Sequence, residues 1–430
     1  RMREPGKKRG LSRRAVGLLQ DAVIVILVAV AVLLATSGGT LDLSGKLDQA
    51  VQGNSSPSGA GGYSEAAKPL SFMLTPETGV HCSVMYDGDA LELAYERYST
   101  TLAEALGSSG APEKIDWESW ESALHGTGIY FDYYGDFQLS ILAIWLGTEI
   151  TGEAAGHSAR RFCLSVEGDD VYLYYIRERG TYSAYRCETA VPASQLMSRL
   201  VECKPNGAEF NFELDRPYYG VDSYSIIVQG DLRLPSVSSE NSLHSANTNE
   251  LMSTLGMNPY LALSYPESDG GSVMIEGEAT LRLGADGELR FSRRITDEEG
   301  DVARLSPSDA IEFARRLVDD MAGNSCGEAE LWLSYAYFDR ESEEYTLRFD
   351  YVLNGLPVSI SGRESAVELH IRGKTVSYAS ILFRSYSTTG AMETPLPAYL
   401  ALTLVEADGG GEPVLSYSDD LERVKIDWIR

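Results

Sequence analysis

The chain has 430 residues and a formal net charge of −27, with 63 Asp and Glu against 36 Lys and Arg. Arg1, Arg3, Lys7, Lys8, Arg9, Arg13 and Arg14 against Glu4 make the first 14 residues +6, so the remainder carries about −33. A body that acidic repels phosphate backbones, which excludes a nucleic-acid partner, and 43% hydrophobic residues with 25 Tyr and 11 Phe exclude a disordered chain.

The basic stub, residues 1–14, leads into residues 15–35, whose side chains are apolar apart from Gln20 and Asp21. From Ala22 to Ala35 there is no polar side chain. A helix of about 20 residues crosses the hydrocarbon core of a bilayer, and the upstream cations keep the N-terminus inside. The segment reads as an uncleaved transmembrane anchor in the cell membrane, single-pass, with the N-terminus cytoplasmic and the bulk of the chain outside. A cleaved signal peptide is the competing reading, because the uninterrupted run is 14 residues and Ala35 precedes small residues. Asp21 is either an ionisable group inside the span, which marks a partner helix, or a carboxylate at the interface beside the arginines. Gln20 and Asp21 are the candidate partner-binding residues of this helix.

Residues 36–68 are rich in Gly, Ser, Thr and Ala without apolar periodicity, and read as a flexible linker. Residues 69–204 form the first expected exported domain, of α+β type. Leu91, Ala94, Tyr95, Tyr98, Leu102 and Leu106 predict a helix over 91–106, stopped by Gly107, and 116–124 predicts a second. Residues 126–145 turn to alternating, β-rich patterns. Strands are expected over 161–166 and 171–176, around the Glu167-Gly-Asp-Asp170 turn, and another over 182–190.

The second expected domain, 205–304, is mainly β. A short helix over 249–255 ends at Gly256, and strands follow over 261–265, 273–276, 279–283 and 288–295, with Asp286-Gly287 predicting a two-residue hairpin. The third, 305–430, is α+β. Ser306-Pro307-Ser308-Asp309 predicts a helix start, and Ile311, Ala314, Leu317, Val318 and Met321 give that helix one apolar face before Gly323. Leu331, Leu333, Tyr335 and Tyr337 alternate, as do Tyr345, Leu347, Phe349, Tyr351 and Leu353, and then Val367, Leu369 and Ile371. Asn354-Gly355 and Gly373-Lys374 are turns. One helix on an antiparallel sheet accounts for the pattern. The fold class is therefore α+β: an N-terminal transmembrane helix followed by extracytoplasmic domains of antiparallel sheets with packed helices. The second and third regions share a plan of short helix and hairpins, as structural repeats would.

No catalytic signature is present: no GxSxG, HExxH, Walker loop or GxGxxG after a strand. His81, His125, His157, His244 and His370 are far apart in sequence, none in a metal-ligand pair, and His370 reads as a solvated residue on the polar face of a strand. The acidic groups at Asp87/Asp89, 297–301, Asp319/Asp320 and Asp419/Asp420 read as turns or solvated helix ends, without the calcium-loop pattern. No catalytic, cofactor or metal residue is assigned. The aromatics Tyr130, Phe131, Tyr133, Tyr134, Tyr172, Tyr174, Tyr175, Trp332, Tyr335, Tyr337 and Phe338 read as core and cross-strand packing. Of five cysteines, Cys82, Cys163, Cys187, Cys203 and Cys326, an oxidising compartment would allow Cys163–Cys187 or Cys187–Cys203 to pair; buried free thiols are the alternative.

Several segments resemble the YycH/YycI accessory proteins of the WalKR (YycFG) two-component system of low-GC Gram-positive bacteria. They are Leu251-Met-Ser-Thr-Leu-Gly-Met-Asn-Pro-Tyr260, Val273-Met-Ile-Glu-Gly-Glu278, Gly284-Ala-Asp-Gly-Glu-Leu289, Tyr345-Thr-Leu-Arg-Phe-Asp-Tyr-Val-Leu-Asn-Gly-Leu-Pro-Val358 and Ala366-Val-Glu-Leu-His-Ile371. The resemblance covers the anchor and roughly 249–384, and is weaker over 69–204; residues 391–430 match nothing. Asn354-Gly355-Leu-Pro-Val358 is also similar to PepSY-like extracytoplasmic domains. The resemblance implies a non-enzymatic regulator of a WalK-like sensor histidine kinase in cell-wall control, in company with a second YycH/YycI-family protein. The PepSY likeness implies instead a binding module that restrains or assists a peptidase or a wall or spore hydrolase.

Overall fold

The computed structural model describes residues 63, 65–200, 204–228, 230, 232–295 and 304–429. The basic stub, the expected anchor with Gln20 and Asp21, nearly all of the linker, Cys203 and the acidic run at 297–301 lie outside them. Among the described residues no helix is long and apolar enough to cross a membrane.

The N-terminal part runs β1 (Pro69–Glu77), β2 (Val80–Met85), α1 (Gly88–Gly107), β3 (Glu113–Ile115), α2 (Trp117–His125), β4 (Gly128–Gln138), α3 (Leu139–Trp145), β5 (Ser158–Glu167), β6 (Asp170–Arg177), β7 (Ser183–Pro192) and α4 (Ala193–Leu200). Its strands form one antiparallel sheet in the order β2-β1-β4-β5-β6-β7-β3. The predicted helices are present, each capped as its sequence dictates: Asp87 accepts from the Ala90 N–H and Asp116 from the Ser119 N–H. One sheet face packs under the Leu91, Tyr95, Tyr98 and Leu102 stripe of α1, and the other packs Met73, Tyr130, Cys163 and Tyr174 against Trp120 and Leu124 of α2. Strands buried on both faces lose their period-two alternation. That is why β1, with five consecutive buried residues, carries no pattern to read. The expected β-rich stretch 126–145 also ends early, at Gln138; the segment Leu139–Trp145, apolar but for Ser140, is helical, and so short a segment fits either state until packing decides.

The two-sided burial removes one of the expected disulfides. Cys163 sits opposite Tyr174, and Cys187 sits opposite Leu173. The two thiols therefore lie on opposite faces of the sheet with β6 between them, and both are free. Of the eleven aromatics expected in core and cross-strand packing, Tyr130, Phe131, Tyr133, Tyr174 and Tyr175 are buried, Tyr134, Tyr172, Trp332, Tyr335 and Phe338 are half-buried, and Tyr337 is exposed.

After the small ribbon β8 (Ala208–Phe210) and β9 (Ile226–Val228) the chain runs through β10 (Leu234–Asn241), α5 (Thr248–Thr254), β11 (Leu263–Pro266), β12 (Ser272–Glu276), β13 (Ala279–Leu283) and β14 (Glu288–Arg293). Then come α6 (Pro307–Ala322), β15 (Glu330–Asp339), β16 (Glu344–Leu353), β17 (Leu356–Ile360), β18 (Val367–Arg372), β19 (Thr375–Leu382), β20 (Arg384–Glu393), α7 (Ala398–Ala407), β21 (Val414–Asp419) and β22 (Val424–Ile429). Pairing of β14 with β19, from Glu288↔Leu382 to Ser292↔Tyr378, joins the central hairpins to the C-terminal ones in a single sheet. Its order is β11-β12-β13-β14-β19-β18-β16-β17-β21-β22, with β15 also on β16 and one parallel pair, β17–β21. Ser306 caps α6 by accepting from the Asp309 N–H, and the predicted face, Ile311, Ala314, Leu317, Val318 and Met321, is buried. The Asp286-Gly287 turn is longer than the two-residue loop expected. The Gly284 N–H donates to the Glu288 carbonyl, leaving a three-residue loop with Gly287 at φ +94°.

Two glycines bring the layers together. Asn354-Gly355 turns β16 into β17 with both residues at positive φ, as the sequence predicts, and the same turn abuts the start of α1. A Cβ on Gly355 would lie 2.4 Å from a methyl of Leu91. Gly135 of β4 lets the first sheet approach β15, where a Cβ would meet the Ser334 carbonyl at 2.9 Å.

Asp419 was expected in a solvated turn. It is fully buried, because the end of β21 meets the β10–β20 ribbon there. It accepts from Arg384 Nε at 3.0 Å and from the Tyr386 hydroxyl at 3.0 Å, and Arg384 in turn donates to Ser239 Oγ and the Leu421 carbonyl. A dry guanidinium left without its carboxylate has no water to replace it. Asp419→Ala is therefore expected to destabilise the fold by about 3–5 kcal/mol, measured by denaturant unfolding. Gly355→Val, which adds left-handed strain and the Leu91 clash, is expected to cost about 1–3 kcal/mol in the same measurement.

Candidate functional site

The histidines are not all isolated. His157 Nδ1 pairs with the Tyr175 hydroxyl at 2.8 Å. His370 is not a solvated residue: it lies between Glu344 (3.4 Å) and Glu368 (3.0 Å), and the hydrogen bond to Glu344 raises its pKa above 6.5. His81 of β2 and His125, the last residue of α2, meet at the carboxylate of Glu213, so two residues 44 apart in sequence share one partner. Sequence spacing gives no sign of this, because it is antiparallel packing that brings the end of α2 over the β1–β2 turn, where the Gly79 N–H donates to the His125 carbonyl at 2.8 Å.

A mainly apolar cleft of ≈ 220 Å³ opens along the same strand as His81. Its floor is β2, an edge strand of the first sheet. An open strand edge is a pairing hazard. Here Asn206 covers it: its side-chain oxygen accepts from the Ser83 N–H at 3.1 Å and its nitrogen donates to the Ser83 carbonyl at 2.9 Å, the two bonds a neighbouring strand would make. The walls are Ile226 and Val228 of β9, the 394–398 segment, and Trp428 of β22. The Trp428 Nε1–H donates to the Leu396 carbonyl at 2.8 Å, and its ring meets Tyr86 edge to face at 6.5 Å.

Helix α7 continues from the same wall. Its sequence, Ala398-Tyr-Leu-Ala-Leu-Thr-Leu-Val-Glu-Ala407, is apolar nearly all round, which in a soluble helix leaves an apolar face uncovered. Ala401, Leu402 and Val405 are buried, Leu402 and Val405 against Val221 and Ile227, while Tyr399 (60% exposed), Leu404 (59%) and Leu400 point outward; Tyr219, on the loop beside the helix, is 87% exposed. The Tyr219 N–H donates to Glu406 at 2.8 Å. Contiguous exposed apolar side chains of this kind mark interaction surfaces. The sequence reading left 391–430 without a role. The signal was there in Pro395 and Pro397 followed by an apolar run too short for a membrane and too apolar for a surface helix.

What places α7 is a charged seam. Arg160 and Arg161 of β5 reach Asp132 of β4 (3.5 and 3.7 Å) and the carboxylate of Glu412, just before β21, and Arg161 also reaches Asp222 at 3.1 Å. The loop strands behind it touch backbone to backbone: Asp222 N–H donates to the Gly411 carbonyl, and a Cβ on Gly410 would lie 2.1 Å from the Gly220 oxygen. Burial favours the neutral form of Glu412, but Arg160 and Arg161 hold its carboxyl below the usual range. Asp132 is pushed up by burial despite the same arginines. Glu178, 4.0 Å from Arg160, is pushed up by burial to about 7.

No family model matches the chain, and no curated protein matches it. Among solved structures, the crystal structure of YycH from Bacillus subtilis superposes at a TM-score of 0.57, covering 86% of this chain and 97% of that one at 12% sequence identity. This chain has a YycH-like fold. The resemblance read from the motifs between 249 and 384 therefore extends to the tertiary structure, and at 86% coverage the match reaches well past those motifs.

The seam has a pH signature. Between about 4.5 and about 7 the folded protein keeps a proton on Glu178 that the unfolded chain has released, so this group lowers stability as pH rises through that window. Glu178→Gln is expected to stabilise the protein by on the order of 2 kcal/mol at pH 8 and to change nothing at pH 4, read from urea midpoints at the two pH values.

Proposed function

We propose that the protein is a non-enzymatic, membrane-anchored regulator of a WalK-like sensor histidine kinase in the control of cell-wall metabolism. The observation that carries this reading is the YycH-like fold over 86% of the chain. It is supported by the basic stub and apolar segment of residues 1–35, which have the composition of a cytoplasmic start and a single membrane span. In this reading the body lies outside the cytoplasm and no substrate is turned over.

The regulator acts through two contacts. In the membrane, Gln20 and Asp21 face a helix of the kinase or of a second YycH/YycI-family protein. Outside, the exposed face of α7 with Tyr399 and Leu404, continuous with the Trp428 cleft, meets the extracytoplasmic part of the kinase. Anchoring both proteins in one bilayer raises their effective concentration, so each contact can be weak. Output changes only if the regulator binds the kinase's signalling states unequally.

Detergent co-purification of the intact chain tests the reading. Capture of a sensor kinase is expected, reduced by Asp21→Leu and by Tyr399→Ser/Leu404→Ser. Capture of a peptidase or wall hydrolase in place of a kinase, or kinase capture that survives replacement of the anchor together with the α7 substitutions, overturns it.

A further inference from the structure

We infer that His81, His125 and Glu213 form a binding site for one zinc-like divalent transition-metal ion. Three observations converge on it. The nitrogens and the carboxylate already point at one another: His81 Nε2 lies 2.9 Å from Glu213 Oε2, and His125 Nδ1 lies 2.7 Å from Glu213 Oε1. All three groups offer a ligand atom within 4.8 Å of the others. In a tetrahedral zinc site the ligand atoms stand about 3.3 Å apart, so each imidazole nitrogen would draw back from the carboxylate by a few tenths of an ångström, while the two imidazole nitrogens, within 4.8 Å of each other, would settle toward the same spacing.

The ligands are also held from behind, as metal-binding side chains are. Thr75 Oγ1 on β1 engages His81 Nδ1 at 2.9 Å, which leaves Nε2 as the ring nitrogen that faces Glu213. The Phe210 N–H donates to Glu213 Oε2 at 3.1 Å, and it fixes the carboxylate at the start of the turn that follows β8. The His125 ring lies over Gly79, where a Cβ would come within 2.7 Å of it; only glycine leaves that place to the imidazole.

Burial divides the site into a closed and an open side. The side chains of His81 and Glu213 are 2% and 9% exposed, whereas that of His125 is 51% exposed. A metal held here would have three protein ligands and a fourth position facing solvent. Two imidazoles and one carboxylate suit zinc and its first-row neighbours rather than calcium or magnesium, which take oxygen ligands. The ion would tie α2, β2 and the turn after β8 together, next to the layer that walls the Trp428 cleft.

The test uses the full chain in detergent, stripped with a chelator and then titrated with zinc alone and with cobalt alone. One zinc per chain is expected, with a raised melting temperature, and the cobalt form is expected to show the visible absorption of a four-coordinate ion. His125→Ala, an exposed change that leaves the fold intact by circular dichroism, is expected to weaken zinc binding at least ~100-fold, and Thr75→Val, which removes only the support, ~10–100-fold. Absence of stoichiometric zinc in the parent overturns the inference. So does His125→Ala or Glu213→Gln binding zinc as tightly as the parent, which would place the ion elsewhere.

Discussion

A guanidinium and a carboxylate without access to water hold the C-terminal third of this protein in place. Arg384 opens β20 and Asp419 closes β21, and their contact, with Tyr386 and Ser239 around it, is the point where the β10–β20 ribbon meets the large sheet. Such a pair contributes little over an apolar substitute, but it tolerates no single loss. It therefore defines one arrangement of these strands. The C-terminal parts of the candidate interface are strung between or just beyond its two ends: the 394–398 segment, α7, Glu412 and, past Asp419, Trp428.

The second constraint is the Arg160–Arg161 seam, which ties the 218–224 loop and Glu412 to the first sheet. With four carboxylates around two arginines, the balance is met by protonation and burial rather than by one-to-one pairing, and Glu178 carries the cost. Together the two charged clusters explain why an apolar helix can stay half uncovered. Its inner face is locked on Val221 and Ile227, and its outer face stays exposed.

The histidine–glutamate triad sits on the same architecture from the other side. β2 contributes His81 to one end and the Asn206-covered edge to the other, so the strand that floors the cleft also carries the buried metal ligand. A metal and a partner at this place would both act on the β8–β9 layer, and each would alter the wall against which the other is measured.

Local chemistry alone determined the helix starts at Asp116 and Ser306, the alternation of β16 and β18, the Asn354-Gly355 turn and the family likeness between 249 and 384, because caps, periodicity and turn residues act over a few positions. The tertiary structure decided the rest. β1 and the cysteines on opposite faces were illegible because a strand covered on both sides shows no pattern. Asp419 could not be told from Asp420, since the same side chain is a turn residue in water and a buried anchor beside an arginine. His81, His125 and Glu213 lie 44 and 88 residues apart, and such separations carry no signal until the chain has closed those loops. The expected anchor with Gln20 and Asp21 is a reading of the sequence alone; the exposed face of α7 and the Trp428 cleft belong to the fold.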